Sequence, residues 1–284
     1  MRPAAPAVLA AATLLSTGDV LGRETWVSAQ PQGKEPPVKV RLAIEVSSTS
    51  AAPRGAALRA ERLESNMLLA ENELAELKVW SPAGASSLVA FTAPLSSGRY
   101  LFQFMLKPEV VVATPAEFAR YLRAEGLDAA EREQVRAKEA PPPCRERTVK
   151  VGKALIQVGE PRPSDGDGAA GATPAPPSLR GAGLPFDLVP DDDPTAWKIG
   201  ARVKVRALAN GKPVFARRIT LRCSTKGRSH TAWAMTDMDG SVELEVPRGD
   251  RCVLRSIDMR RVQDEPDVDW QSTWHSFTFQ RRED

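Results

Sequence analysis

Val38, Val40, Leu42, Ile44 and Val46 alternate with Lys39, Arg41, Ala43 and Glu45. A period of two puts one row of side chains in a core and the other outside it, which predicts a strand. Tyr100, Phe102, Phe104 and Leu106 repeat the period. Leu77, Val79, Leu88, Phe91 and the run Val110-Val111-Val112 supply further strands, with turns at Ser81-Pro82 and Ser96-Ser97-Gly98. The Glu-, Leu- and Ala-rich stretch 59–76 is expected to be part helix and part strand.

After Val112 the period changes. Thr114 followed by Pro115 and Glu117 forms a capping box with proline at the first helical position, and Phe118, Tyr121 and Leu122 make an apolar stripe at helical spacing. Gly126 is placed to end this helix, and Asp128 with Glu131 repeats the cap for a second, charged helix to about residue 138. From 160 to 183 the chain is Gly, Pro, Ala, Ser and Asp with almost no large apolar side chain, the composition of a flexible linker. Strand patterns resume beyond it, at Val203, Val205 and Ala207, at Ile219, Leu221 and Cys223, over 231–236, 242–246 and 252–257, with turns at Asn210-Gly211 and Asp237-Met238-Asp239-Gly240. The last stretch, Trp270 to Phe279, holds two Trp and two Phe in a chain only 6% aromatic, so it is expected to close a core.

These elements predict a mainly β fold: two β-sandwich domains, immunoglobulin-like or prealbumin-like, with a short helical excursion in the first. The expected boundaries are a leader over 1–22, an N-terminal β-rich domain over 23–159 with a helical insertion at 115–138, a linker over 160–183 and a C-terminal sandwich over 184–280.

Charge and cysteine usage narrow the function classes. With 39 basic and 36 acidic residues the net charge is +3, too balanced for a nucleic-acid footprint. Met1-Arg2 and the apolar run from Ala4 to Leu15, with small residues before Arg23, read as a secretory signal, too short to span a bilayer. The mature protein is expected in the periplasm or secreted, beginning near Arg23, without a membrane span. Cys223 and Cys252 fall in two predicted strands of one domain and can form a disulfide or remain two buried thiols. Cys144 has no evident partner, and no Cys-x-x-Cys or Cys/His spacing suggests structural zinc.

Several segments resemble one bacterial family. Glu117-Phe118-Ala119-Arg120-Tyr121-Leu122 through Glu125-Gly126-Leu127 is similar to its helix, and Arg145-Glu146 with Lys153-Ala154-Leu155 to a following element. Leu184-Pro185, Gly211-Lys212-Pro213, Thr236-Asp237-Met238-Asp239-Gly240 and Asp269-Trp270-Gln271-Ser272-Thr273-Trp274 to Thr278-Phe279 follow in the family's order. The family is DUF4198, whose members are described as periplasmic components of cobalt or nickel uptake. The resemblance implies a nickel or cobalt ion as ligand and a metal-uptake permease or other envelope protein as partner. In metal-linked members the mature chain opens His-acid-x-Trp. Here Arg23-Glu24-Thr25-Trp26 keeps the acid and the Trp but has Arg in place of His.

Imidazole nitrogen is the donor that suits these borderline cations, and the chain has only His230 and His275. The candidate metal ligands are therefore His275, Glu24 and His230. His275 is also expected to face away from the Trp274 ring, as a hydrogen-bonded or solvated strand histidine. Asp237, Asp239 and Gly240 begin like a calcium loop but lack downstream ligands, so a hairpin whose carboxylates bond their own backbone is expected. Asp191-Asp192-Asp193 reads as solvated linker, and Arg248-Gly249-Asp250 as a turn. No Gly-x-Ser-x-Gly elbow or positioned His-Asp pair suggests catalysis. The sequence points to a non-catalytic envelope binding protein accessory to transition-metal uptake, or to a structural or protein-interaction module without metal.

Overall fold

The computed structural model describes residues 23–33, 35–48, 58–70, 74–82, 87–136, 144–159, 179, 181 and 183–282. The expected leader and most of the expected linker lie outside these residues. The first half of the chain forms β1 (Arg23–Pro31), β2 (Val40–Ser48), β3 (Leu63–Leu69), β4 (Leu74–Ala75), β5 (Val79–Trp80), β6 (Ser87–Phe91), β7 (Gly98–Ala113), α1 (Pro115–Glu125), α2 (Asp128–Arg136) and β8 (Cys144–Val158). The second forms β9 (Phe186–Pro190), β10 (Arg202–Ala209), β11 (Lys212–Pro213), β12 (Arg218–Thr225), β13 (Arg228–Met235), β14 (Ser241–Glu245), β15 (Arg251–Arg261) and β16 (Trp270–Gln280). The mainly β sandwich expected from the sequence is what the chain builds.

An eight-stranded sheet in the order β13-β12-β15-β16-β8-β7-β3-β4 runs through the middle of the molecule. Its centre is the parallel pairing of β16 with β8, Trp270 opposite Glu146 through Thr278 opposite Ala154. Strands from both halves of the chain thus share one sheet. Side chains alternate across it, and each row faces a different layer. Leu101, Leu155, Leu221, Phe277 and Phe279 meet the sheet formed by β9, β10, β11 and β14. Phe102, Phe104, Ala154 and Ile156 meet the β1-β2-β6-β5 sheet. On that second face, α1 and α2 cover Ile257, Met259, Trp270 and Trp274.

Local chemistry accounts for the elements. The Thr114 hydroxyl accepts from the Glu117 N–H and the Glu117 carboxylate accepts from the Thr114 N–H, while Gly126 closes α1 in the left-handed region at φ 67. The Asp237 carboxylate accepts from the N–H groups of Asp239 and Ser241, making the expected self-bonded turn. The described residues of 59–76 are part helix and part strand as expected, a 3-10 turn over Ala60–Arg62 and then β3 and β4, with Asn66 and Leu68 of β3 buried beside β7. Two expectations are corrected. Residues 100–106 and 110–112 are one strand, β7, with a register shift between Leu106 and Glu109 around Pro108. The last part of the 160–183 stretch is docked: Leu179 is buried and the Gly181 N–H donates to Asp187 at 2.9 Å.

Candidate functional site

The two faces of β16 carry two different polar assemblies. On the face toward β9, Lys153 of β8 is fully buried. Its ammonium lies 2.5 Å from Asp187 Oδ1 and donates to the carbonyls of Leu179 at 2.7 Å and Leu188 at 3.0 Å. Phe277, its register partner, offers a ring 4.8 Å away. His275 places Nε2 3.3 Å from the same Asp187 oxygen and its ring edge-on to Phe186. Burial alone would raise the Asp187 pKa, but Lys153 and His275 outweigh it and hold the carboxyl well below its ordinary value. Burial lowers the pKa of both His275 and Lys153, with Asp187 opposing. This assembly ties the docked segment, β9, β8 and β16 together.

On the opposite face the chain forms a small cavity of about 20 Å3, bordered by Glu24, Glu125, Arg218, Thr220, Arg255, Trp274 and His275 among others. Strand alternation brings these groups together. Arg218, Thr220 and Arg222 recur at every second position of β12, and Thr220 stands opposite Arg255, which is one residue from Ser256 and two from Ile257 on β15. From the first strand, Glu24 enters 2% exposed and takes a 2.6 Å ion pair from Arg222. The other carboxylate is Glu125, the last residue of α1, where the helix dipole disfavours negative charge. It is held there by Arg255 at 2.7 Å. Burial raises the Glu125 pKa; Arg255 lowers it and the Glu24 carboxylate raises it, so the two acids feel one another.

Gly126 serves this site twice. It takes the left-handed conformation that ends α1, and a Cβ there would stand 2.7 Å from Arg218 Cδ, so only glycine lets Arg218 lie against the helix end. Arg218 in turn stacks on Trp233 at 4.2 Å. Beside the cavity, the Tyr121 hydroxyl donates to Glu146 at 3.2 Å, Ser272 donates to the same oxygen, and Tyr121 stacks on Trp274. Arg145 grips Asp269 through Nε and Nη2. Burial pushes the Glu146 pKa up, against the Ser272 and Tyr121 hydrogen bonds.

A family model described as "Domain of unknown function (DUF4198)" matches residues 22–257. The chain belongs to this family. A search of proteins with curated functions finds no match to it. The matched residues take in both carboxylates, all three arginines and the α1 motif of the cavity, and stop within β15, ahead of β16.

The three metal-ligand candidates of this DUF4198 chain are not brought together. His275 borders the same cavity as Glu24, but its ring turns away through the sheet to Asp187 and Phe186, while the Trp274 ring packs under α1. His230 stands exposed on β13, opposite Cys223. Among the described residues, no group of three or more His, Cys, Asp or Glu is arranged to hold a metal ion. Cys223 and Cys252, register partners on β12 and β15, are joined in a disulfide, and Cys144 is a buried free thiol. Asp191 and Asp193 are engaged by Arg206 and Arg99, and the Gly249 carbonyl of the Arg248-Gly249-Asp250 turn is held by buried Arg281.

Sequence reasoning missed Glu125, Arg218, Arg222 and Arg255. A carboxylate closing a helix is the one local signal that could have found them. The arginines sit among residues of ordinary strand alternation and read there as solvent-facing.

Proposed function

We propose that this DUF4198 protein is an exported, non-catalytic binding protein of the cell envelope whose ligand seat is the Glu24 and Glu125 cavity. The observation that carries the reading is that the first strand after the expected leader delivers a buried carboxylate to a cavity where Glu24 Oε1, Arg218 Nε and Arg255 Nη1 have no hydrogen-bond partner among the described residues. Buried polar groups in that condition are costly unless something fills them. The adjoining sheet face supports recognition of a partner larger than an ion, since Trp233 and Met235 of the terminal strand β13 are 55% and 43% exposed.

A partner-binding role without resident metal fits this geometry better than metal carriage, because both carboxylates are paired with arginine and the one nearby imidazole turns to Asp187. The second reading, an accessory of nickel or cobalt uptake, draws on the family resemblance and on the convergence of Glu24 with Glu125. Calorimetry of the mature protein separates them. The first reading expects no heat with Ni2+ or Co2+ at micromolar concentration, and stoichiometric binding would replace it by the second. Export is tested by fractionation and N-terminal sequencing: recovery of the intact chain with Met1 in the cytoplasm would end the envelope reading.

A further inference from the structure

We infer that Lys153 and Asp187 condense to an amide bond that the fold itself forms, linking β8 of the central sheet covalently to β9 of the facing sheet. The inference does not depend on the Glu24 cavity. It rests on contacts that converge on one carboxyl group and one amine. Asp187 Oδ1 lies 2.5 Å from Lys153 Nζ and 3.3 Å from His275 Nε2, while Asp187 Oδ2 accepts from the Gly181 N–H at 2.9 Å. The carboxyl carbon, one C–O bond of about 1.2 Å beyond Oδ1, is therefore within about 3.7 Å of Nζ. Near-attack separations are about 3–3.5 Å, so a small shift brings the two atoms to reaction distance.

Each contact has a part in the condensation. Nζ donates to the carbonyls of Leu179 and Leu188, which leaves one valence of the nitrogen for Asp187. When the proton there crosses to Oδ1, both groups become neutral and the amine lone pair faces the carboxyl group. Burial favours this transfer, since the Lys153 side chain is inaccessible and its surroundings, Phe277 and Phe186 among them, penalise both charges. Nζ then attacks the carboxyl carbon, and negative charge collects on Oδ2, where the Gly181 N–H already stands. A second proton passes from nitrogen to Oδ1 through His275 Nε2, the bond from carbon to Oδ1 breaks, and water leaves. Two N–H protons and one carboxylate oxygen make that water, an N–C bond replaces a C–O bond, and nothing is oxidised or reduced. Lys153 and His275 hold Asp187 ionised at the start, so the step is a slow, single maturation event. The link joins two sheets, whereas the Cys223–Cys252 disulfide joins neighbouring strands of one.

The test is mass spectrometry of the purified protein, reduced and denatured, followed by peptide mapping. The wild type is expected one water lighter than its sequence mass, with a branched peptide joining the segments that hold Lys153 and Asp187. Lys153→Arg and Asp187→Ala are expected at full mass, without the branched peptide. His275→Gln is expected to link about a hundredfold more slowly after synthesis, read as the linked fraction against time, and an unchanged rate would overturn the relay. A wild type at full mass overturns the inference and leaves a buried ion pair. So does a lost water without the branched peptide, the mark of a succinimide such as Asp239-Gly240 can form. Should the variants fail to fold, the wild-type mass and peptide map decide alone.

Discussion

The two faces of β16 use the same kinds of side chain to opposite ends. Toward β9, Lys153 finds three oxygens and is closed off from water by Phe277 and the docked Leu179 segment. Toward α1 and β1, Glu24 and Glu125 pair with Arg222 and Arg255, while Arg218 lies on Trp233 outside either ion pair. Depth of burial does not separate the two, since Lys153 and Glu24 are both nearly inaccessible. What separates them is the closure around the central charge. The Lys153 ammonium is saturated by three oxygens, although both ring nitrogens of the adjoining His275 make no hydrogen bond among the described residues. The Glu24 carboxylate is held by Arg222 through one oxygen alone, at the border of a cavity.

The largest test of this contrast is Lys153→Met. It leaves Asp187 buried without its ammonium and is expected to lower stability by about 3–5 kcal/mol in urea unfolding. Adding Asp187→Leu should recover part of that loss, and a loss below about 1 kcal/mol would remove the pin from the comparison. Reduction of Cys223–Cys252, whose side chains pack into the same layer as His275, should cost about 2–4 kcal/mol in the same assay. A negligible cost would mean that this face is not the rigid one.

Across the sheet, Tyr121→Phe removes one donor from Glu146 but leaves Ser272 in place. The expected loss is about 1 kcal/mol, read as a small fall in Tm. The smallest and sharpest effect is in pH. The His275 pKa is lowered on folding, so as pH falls below the ordinary 6.5 the unfolded chain takes up the proton first and stability drops. The Glu125 and Glu146 pKa values are raised on folding from 4.5, so acidification into the window just above that value relieves a cost and adds stability. Tm profiles should therefore lose their acid-side fall in His275→Gln and steepen it in Glu125→Gln. Identical profiles in both variants would erase the distinction between the faces.

Much of the fold was legible because its signals are local. The Thr114 and Glu117 cap, the Gly126 stop, the Asp237 turn and the period-two strands each specify their own geometry within a few residues. The aromatic density of 270–279 correctly marked a strand that closes a core. The common sheet was not legible, since the pairing of β8 with β16 depends on residues over a hundred positions apart and no local pattern encodes it. The same blindness hid the site. Lys153 sits in Val-Gly-Lys-Ala-Leu and reads as a solvent-facing position until β9 is laid across it. Glu24 and His275 were singled out by chemistry and by family resemblance, but the His275 ring turns away from Glu24 through the sheet.

The parallel pairing of β16 with β8 also sets an order of events. A chain is made, and passes through any membrane pore, from its N-terminus, so β8 and later β15 wait with an unpaired edge until β16 emerges. The final strand then enters between them as a wedge completes an arch. A chain ending at Ile257, where the family match ends, would lack that wedge, and neither flank of the central sheet could close. Closure of the central sheet is thus timed by β16, however early the helices and hairpins form.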